Sequence, residues 1–386
     1  MRTIKYFCHY DTSKNISYNR YYALSASQKI EYLYDKFNSI GYNVDIISLS
    51  STRNPYRYSA QKIDLNYNTT AYFFSNLSWG NRLQRILSRF YISLNIILFV
   101  LFKLKCGETV LLYHSLEYAN VILQTFKIKK INLILQLEEL YQDVVTLSKS
   151  KTRLENKIVS FANALILSNS NLENITLNKP YITLNGNYTP IFKSIEKEDI
   201  NSKIHLVYAG TFMKEKGIER VLLVAKYLSK KYVVHIYGFG SNEEIEFVKK
   251  SVCEINKASE CMVVYEGRKT GDVLIDEIAR FHYGLSFQDT ISKFNDTSFP
   301  SKILTYLRVG LTVISTKVES IYNSEISDII YFCPNESPSD IANYISGLNP
   351  LNATTIYEKL SQMDSKFQID LDKFISLNYK EPRNEK

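Results

Sequence analysis

The stretch "IHLVYAGTFMKEKGIERVLLVAKYLSKKYVVHIYGFG", from Ile204 to Gly240, predicts a strand, a helix and a second strand in succession. Its first part is a run of apolar residues that ends at Gly210, and its last part, "YVVHIYGFG", repeats that pattern. The intervening "GIERVLLVAKYLSK" has apolar residues at helical spacing. This order is typical of parallel strands joined by a helical crossover.

The same alternation runs through most of the chain. In the first half, strands are predicted at Thr3–Phe7, Asn43–Ser48, Thr109–Tyr113, Asn132–Leu137, Ala164–Leu167 and Tyr181–Leu184, and helices at Ser27–Ile40 and Arg82–Lys105. After Gly240 the pattern continues with "MVVYEG", "DVLIDEIARF", "YGLSF", a helix from Pro300 and "LTVIST". We therefore predict an α/β protein with two Rossmann-like, doubly wound parallel-sheet domains that face a cleft.

The predicted domain boundary lies in "IFKSIEKEDINSK", Ile191–Lys203, which is polar, charged and without periodicity. We assign residues 1–195 to the first domain and 196–365 to the second. Residues 366–386 are predicted to form a C-terminal helix and tail that pack back on the first domain. Ligands of doubly wound sheets bind at the carboxyl ends of the strands, so functional residues are sought there.

Composition limits the choice of partners. The chain has 386 residues and a net charge of +8, which favours an anionic partner such as a phosphate ligand, an acidic membrane or a nucleic acid. Because the basic residues are spread along the chain, a nucleic acid is the least favoured of these. Five widely spaced cysteines without a CxxC pair argue against a metal site and are typical of reduced thiols. The N-terminal "MRTIKYFCHYDTSKN" lacks the apolar core of a signal peptide, so we expect a cytoplasmic protein.

One apolar segment, "YISLNIILFVLFKLKCG" (91–107), has two interpretations. Its apolar core is about a dozen residues, shorter than the roughly 20 that span a bilayer. Basic residues flank it on both sides: Arg82, Arg85, Arg89, Lys103 and Lys105. It is either a buried helix of the first domain or a basic, apolar helix that lies on the inner face of an anionic membrane.

The loop after the strand at Gly210 is a candidate phosphate site. It carries Lys214 and Lys216, and Gly217 precedes the next helix. A glycine lets a ligand approach the backbone, a helix N-terminus favours an anion, and a lysine adds positive charge. A plain tight turn explains the same pattern. Gly238 and Gly240, which end the following strand, form a GxG that alone is weak evidence.

A second candidate is "NDTSFPSKILTYLRVGLTVIST" (295–316), where a helix feeds a strand. Lys302 stands in the first helical turn, whose amides point outward. The predicted boundary residues are Pro300 in the first turn, Ser298 or Ser301 as the cap, and Gly310 after the last turn. Two positively charged helix starts at strand ends fit a diphosphate held in a nucleotide-binding cleft.

These motifs together carry a resemblance to a known family. The segments "YAGTFMKEKG", "IYGFG", "VVYEGRKTGDVLIDEIARFHYGLSF" and "TSFPSKILTYLRVGLTVIST" resemble, in order and spacing, the GT-B glycosyltransferases of retaining family 4, the "glycosyl transferases group 1" enzymes. "FANALILSNSNLENI" and "YITLNGNYTP" are similar to elements of that family, and "LLYHSLEY" and "LQLEELYQDV" resemble those of bacterial capsule and surface-polysaccharide members. The resemblance covers roughly residues 105–330.

The resemblance implies a nucleotide-sugar donor, a UDP-sugar by preference, bound mainly by the second domain. It implies a glycan or lipid-linked glycan acceptor bound mainly by the first domain, and it calls for no metal and no separate cofactor. Lys216 matches the diphosphate lysine of the family, whereas Thr211 stands where the family has an arginine, for which Lys302 or Arg308 could substitute. The donor-binding residues that we predict are Gly210, Thr211, Lys216, Gly238, Arg268, Thr297, Ser301, Lys302 and Thr305.

The family commonly has two glutamates with seven residues between them, and here those positions are Thr297 and Thr305. A hydroxyl can still bond a sugar or ribose hydroxyl, but a charge-assisted bond is roughly twice as strong as a neutral one. Asp296 is the nearest carboxylate that could take over the first role. The alternatives are an incidental pair of helix residues and a degenerate, non-catalytic GT-B binding or partner subunit.

The first domain offers further candidates for catalysis. Glu138 and Glu139 follow an apolar strand, and because strand residues alternate in direction, at most one is expected to reach the cleft. A general base is one role for them; an acid that caps a helix or pairs with a lysine is the other. His114 and Glu117 follow another strand, and a structural histidine is as good an interpretation as a sugar contact. The predicted catalytic residues are His114, Glu138, Glu139 and Asp296.

Overall fold

The computed structural model describes residues 2–12, 20, 24–52, 55–77, 80–144, 146–193, 203–290 and 299–382. The chain divides into two compact units, one formed by Met1–Gly186 with Lys366–Lys386 and the other by Asn187–Ser365. The chain thus passes between units after residues 186 and 365, where the sequence analysis set boundaries after 195 and 365. Most of the predicted linker 191–203 lies outside the described residues; 191–193 and 203 belong to no helix or strand.

The first unit contains an eight-stranded sheet in the order β3-β4-β2-β1-β5-β6-β7-β8. All its pairings are parallel except that of β3 with β4. The strands are β1 (Arg2–Cys8), β2 (Tyr42–Ser48), β3 (Gln61–Asn66), β4 (Thr69–Phe73), β5 (Thr109–Tyr113), β6 (Asn132–Leu137), β7 (Ala164–Leu167) and β8 (Tyr181–Thr183). The sequence analysis did not predict β3 and β4, which extend the edge of the sheet.

Helices cover the sheet of the first unit. They are α1 (Leu24–Ser39), α2 (Arg82–Lys103), α3 (Ala119–Ile128), α4 (Tyr141–Val144) and α5 (Lys149–Phe161), with a 3-10 helix at Ser170–Ile175. Buried residues of α2, α3 and α5, such as Ile96, Phe126 and Ile158, share one core with Phe7 and Leu133 of the strands. The helix α2 begins at a capping box formed by Asn81 and Gln84, which satisfies amides that the first turn leaves open.

The second unit contains a six-stranded sheet in the order β11-β10-β9-β12-β13-β14, with parallel pairing throughout. Its strands are β9 (Ile204–Thr211), β10 (Tyr232–Phe239), β11 (Met262–Gly267), β12 (Tyr283–Ser286), β13 (Thr312–Ser315) and β14 (Ile330–Phe332). Its helices are α6 (Ile218–Ala225), α7 (Asn242–Ala258), α8 (Gly271–Ile278), α9 (Ser301–Arg308), α10 (Glu319–Tyr322) and α11 (Pro338–Ser346), with 3-10 helices at Lys214–Lys216 and Ser327–Ile329. A last helix, α12 (Ala353–Asn378), contributes residues to both units.

Both sheets have a topological switch point. In the second unit, β10 and β11 follow β9 on one side, whereas β12, β13 and β14 are added on the other. In the first unit, β2 lies on one side of β1 and β5 on the other. Since the crossovers leave a crevice where the direction of winding reverses, the carboxyl ends of β9 and β12, and of β1 and β5, are the places to look for ligand sites.

A glycine lets α9 pack directly on the sheet of the second unit. An added Cβ at Gly284 of β12 would overlap the ring of Tyr306 from α9. The Tyr306 hydroxyl accepts a hydrogen bond from the Ala209 amide at 2.7 Å, beyond the point where β9 pairs with β12. It lies 3.5 Å from the carbonyl oxygen of Leu285, to which it donates. One tyrosine therefore satisfies backbone groups of two strands that diverge.

This packing gives a test of the fold. We expect Gly284→Ala to lower the free energy of unfolding by about 1–3 kcal/mol, because the methyl group forces Tyr306 out of its position. Urea unfolding followed by circular dichroism measures the change. Gly347→Ala is the matched control, since its Cβ would meet nothing closer than 3.7 Å. Equal unfolding midpoints for the two variants would contradict the argument.

Candidate functional site

Two lysines meet at the carboxyl end of β9. Lys216 ends the 3-10 helix that follows the strand, and Lys302 is the second residue of α9. The Lys302 ammonium donates to the carbonyl oxygen of Lys216 at 2.8 Å and lies 4.3 Å from the centre of the Tyr208 ring. Its Cε atom lies 3.7 Å from the place of a Cβ on Gly210. The structure thus brings together Gly210, Lys216 and Lys302, all of which the sequence analysis assigned to the donor site.

The positive charges of Lys216 and Lys302 repel each other. Burial lowers the pKa of Lys302 well below its usual value, and the positive charge of Lys216 lowers that pKa further. An anion bound beside both ammonium groups would reverse the second effect, because opposite charge favours the protonated form. Within the described ranges, no group of three His, Cys, Asp or Glu side chains is placed to hold a metal ion. Lys216 and Lys302 are the cationic residues that the structure brings together at this site.

Two helix N-termini lie at the same switch point. Gly217 caps α6 with φ of +87°, and an added Cβ there would overlap the carbonyl of Phe287, which directly follows β12. Only glycine suits this position, since it combines a left-handed backbone with close approach to another strand end. The first-turn amides of α6 and α9 are consequently near the lysine pair, which is an arrangement suited to a phosphate.

The start of α9 differs from the prediction. Pro300 is the N-cap residue rather than part of the first turn, and α9 begins at Ser301. No side chain caps the helix in the described structure, so Ser301 is not the cap that we predicted. The reason is that Ser301 is already helical, and its carbonyl accepts a bond from Thr305 Oγ1 at 3.2 Å. Ser298, the other predicted cap, lies outside the described residues.

Gly238 and Thr211 lie beside this site. Gly238 of β10 is paired with Gly210 of β9, and an added Cβ on Gly238 would overlap the Gly210 carbonyl and the Phe212 ring. The carbonyl of Thr211, the last residue of β9, accepts a bond from the Tyr208 hydroxyl at 2.6 Å. Gly238 therefore keeps β9 and β10 close, and the Tyr208 hydroxyl holds the chain end of β9 in place.

Arg268 lies at the same edge of the sheet but away from the lysine pair. It follows β11, which is separated from β9 by β10, and its side chain is exposed. Its guanidinium lies 4.8 Å from the centre of the Phe239 ring at the end of β10. The preceding Gly267 has φ of +77°, so the chain turns sharply there. The structure thus places the main chain of Arg268, one of the predicted donor-binding residues, directly after the end of β11.

Of the two positions at which the family has a glutamate, Thr305 is among the described residues and Thr297 is not. Thr305 is half-buried, and its hydroxyl donates to the Ser301 carbonyl within α9. Asp296 and Thr297 lie outside the described residues. The two proposed substitutes for the missing arginine are separated by the length of α9, because Arg308 donates from its far end to the carbonyl of Thr189 at 2.8 Å. Lys302 is therefore the residue that lies beside Lys216.

In the first unit, Glu138 belongs to a polar network at the end of β6. It forms an ion pair with Lys29, and Gln136 Nε2 donates to its other oxygen at 2.6 Å. Tyr6 of β1 donates in turn to Gln136. Glu139 is also half-buried. The network matches the interpretation of Glu138 as an acid that pairs with a lysine, and its position at a strand end leaves it near the expected ligand edge.

His114 is packed inside the first unit. Its side chain is 1% exposed, its ring stacks on Tyr141 with centroids 4.9 Å apart, and its Nε2 lies 3.4 Å from an oxygen of Glu155. Burial lowers the pKa of His114 to about 4, so the ring is neutral at pH 7. These contacts match the interpretation of His114 as a structural histidine.

The sequence analysis missed a contact at the switch point of the first unit. His9 follows β1, Ser115 follows β5, and His9 Nε2 lies 3.2 Å from Ser115 Oγ. The same hydroxyl accepts the amide of Glu117 at 3.1 Å, and burial lowers the pKa of His9 to about 4. The available signal was that each residue lies two positions after a predicted strand. The bond of Tyr306 to Ala209 and the contact of Lys302 with the Tyr208 ring were missed because the partners are distant in sequence.

No protein-family model matches the chain, and a search of curated proteins gives no match either. Solved structures do match. The E. coli trehalose-6-phosphate structure bound with UDP-2-fluoro glucose has a TM-score of 0.69 at 10% identity and covers 99% of this chain and 100% of its own. HepE of Anabaena in complex with UDP and glucose has a TM-score of 0.64 at 11% identity, with coverage of 98% and 99%. The pneumococcal O-GlcNAc transferase GtfA in complex with UDP and GlcNAc has 0.63 at 9%, also with 98% and 99%.

The chain therefore has the GT-B fold of retaining glycosyltransferases, an α/β architecture with two Rossmann-like domains built on parallel sheets. The predicted α/β fold class with two such domains is confirmed. At sequence identities near 10%, the structural similarity establishes the fold alone. The assignment of a function has to come from the residues of the site.

The lowered pKa of Lys302 predicts a pH dependence of stability. Between that lowered pKa and the unfolded value of 10.5, the unfolded chain binds more protons than the folded protein, so stability rises with pH through this window. Lys302→Met removes this contribution. We therefore expect the stability of the wild type relative to Lys302→Met to increase as pH rises from 7 toward about 10.

Urea unfolding at several pH values measures this difference. Lys226→Met is the matched control, because Lys226 is exposed at the end of α6 and should show no such trend. A difference between the wild type and Lys302→Met that stays constant over the same range would show that burial does not shift the pKa of Lys302.

Proposed function

We propose that the protein is a glycosyltransferase that moves a sugar from a nucleotide-sugar donor to a glycan or lipid-linked glycan, with retention of configuration. The observation that carries the proposal is the contact of Lys302 with Lys216 at the switch point of the second unit, beside two helix N-termini. A nucleoside diphosphate fits this site because it supplies the negative charge that both lysines and both helix starts favour.

The same arrangement suits the chemistry of glycosyl transfer. When the bond to the sugar breaks, negative charge develops on the departing diphosphate, and fixed positive groups stabilise that charge. In retaining enzymes of this type the departing diphosphate itself helps to deprotonate the acceptor. A protein base is then not compulsory, which agrees with the pairing of Glu138 and the burial of His114.

We propose that the nucleotide of the donor is uridine diphosphate. The support comes from three structures of similar fold, whose descriptions name UDP-2-fluoro glucose or UDP as the bound molecule. For the acceptor, the support is the resemblance of "LLYHSLEY" and "LQLEELYQDV" to bacterial enzymes of surface-polysaccharide synthesis. We accordingly place the protein in surface-polysaccharide assembly.

A binding screen tests the donor assignment. Isothermal titration with UDP, GDP, ADP and their sugar conjugates should give binding for a uridine compound. Lys216→Ala should weaken UDP binding at least about tenfold, since a charge-assisted bond contributes about 1.5–3 kcal/mol. Lys226→Ala should bind like the wild type, because Lys226 is an exposed lysine at the far end of α6.

The outcomes separate the possibilities. Absence of binding for every nucleotide and nucleotide sugar would refute the transferase proposal. Unchanged affinity of Lys216→Ala would refute the diphosphate assignment while leaving the fold intact. Binding to a different nucleotide would correct the donor.

A non-catalytic GT-B subunit is the second candidate, and the observation that favours it is the hydroxyl of Thr305 at a position where related enzymes carry a carboxylate. This candidate predicts neither detectable UDP binding nor donor turnover. Hydrolysis of the donor distinguishes the two candidates. It is measured as the release of UDP from each UDP-sugar that binds. Steady release of UDP that is lost in Lys216→Ala would favour the enzyme.

A further inference from the structure

The helix α2 has two apolar faces. One of them is buried against the sheet through Ser88, Ile92, Ile96 and Val100. The opposite face is exposed and carries Leu83, Leu87, Phe90, Leu94, Leu98 and Phe102, which recur at spacings of three and four residues. Phe90 is 70% exposed and Phe102 is 77% exposed. A continuous row of large apolar side chains in solvent marks an interaction site rather than an ordinary protein surface.

The contacts of α2 decide between lying on a bilayer and crossing it. By length and composition α2 could cross a membrane, since its 22 residues span about 33 Å. The exposed apolar row begins at Leu83, before the apolar segment 91–107 that the sequence singled out. However, Ile92, Ile96 and Val100 are buried in the core that holds the first unit together. Only the exposed face of α2 can therefore enter a bilayer, with the helix axis lying along the membrane surface.

The helix layer around α2 is strongly basic. The helices α2, α3 and α5 pack on one face of the sheet and carry nine basic residues: Arg82, Arg85, Arg89, Lys103, Lys127, Lys149, Lys151, Arg153 and Lys157. Their single acidic residue, Glu155, is fully buried and accepts the amide of Tyr141. By contrast α1 carries two lysines and two acidic residues. The helix layer that contains the apolar row thus has an excess of positive charge, which α1 lacks.

We propose that the face formed by α2, α3 and α5 docks on an anionic lipid bilayer. Apolar side chains on one helix with many surrounding lysines and arginines are the combination that binds the boundary of headgroups and acyl chains. Each basic residue near such a surface adds attraction to anionic lipid. A second copy of the chain fits less well, because an isologous dimer would bring two positively charged faces together. This proposal does not rest on the proposed donor site, which lies in the other unit.

Vesicle co-sedimentation with the full chain tests the docking surface. We expect the protein to bind vesicles of phosphatidylcholine mixed with phosphatidylglycerol, and to bind vesicles of phosphatidylcholine alone at least about tenfold more weakly. Binding should fall as salt is raised, since the attraction between exposed charges is screened. Equal binding to both vesicle types, or no binding to either, would overturn the proposal.

Two pairs of variants locate the surface. Phe90→Glu with Leu94→Glu should reduce vesicle binding at least about tenfold, whereas Ile369→Glu, at an equally exposed apolar residue of α12, should not. Arg82→Glu with Lys151→Glu should have a similar effect, whereas Lys373→Glu on α12 should not. Both control residues belong to the first unit.

Circular dichroism and UDP titration are the readouts that keep the test interpretable. The surface variants should melt like the wild type, because the substituted side chains are exposed. They should also bind UDP like the wild type, because the substituted residues belong to the first unit and the proposed donor site belongs to the second. If the apolar pair unfolds, the charge pair decides the question. A salt-insensitive dimer that forms through α2 without vesicle binding, or an acidic protein bound in place of lipid, would contradict the proposal.

Discussion

The packing of Tyr306 on Gly284 controls the geometry of the second unit. Because Gly284 has no side chain, the ring of Tyr306 reaches β12 and its hydroxyl reaches the Ala209 amide of β9. Tyr306 and Lys302 are four residues apart in α9, so both lie on the same face of that helix. The contact that anchors α9 therefore also sets Lys302 beside Gly210 and the Lys216 carbonyl. Together with the close approach of Gly217 to Phe287, it helps to fix the two helix starts at the switch point.

This arrangement trades stability for binding. Burial of an ammonium group costs free energy, and a second ammonium nearby increases the cost, which is why the pKa of Lys302 is lowered. The Lys216 carbonyl and the Tyr208 ring offset part of that cost. The charged form of Lys302 destabilises the folded protein, and a ligand of opposite charge would stabilise that form. Functional sites commonly show this conflict between stability and activity.

The sequence predicted those parts of the fold that depend on local pattern. The bounds of β5, β6 and β7 agree with the predictions because each is a largely apolar and buried run in the interior of a sheet. The edge strand β3 escaped prediction because none of its six residues is buried and four of them are polar. The adjacent β4, a strand of only five residues that is buried at alternate positions, was also missed. At the candidate site, Lys216 and Lys302 were found through helix-start chemistry. The bond of Tyr306 to Ala209 could not be found, since 97 residues separate the two and no periodicity reports such a contact.

The helix α2 shows why burial is needed to interpret an apolar segment. Apolar residues all around a helix predict either a buried helix or a membrane contact, and periodicity alone does not choose. In the structure one stripe of α2 is buried with the sheet and the opposite stripe is exposed, and the proposed membrane contact concerns the exposed stripe alone. The basic side chains of α3 and α5 then give the exposed face a preference for negative charge. A sugar acceptor attached to a lipid would be found at the kind of surface that this face is suited to bind.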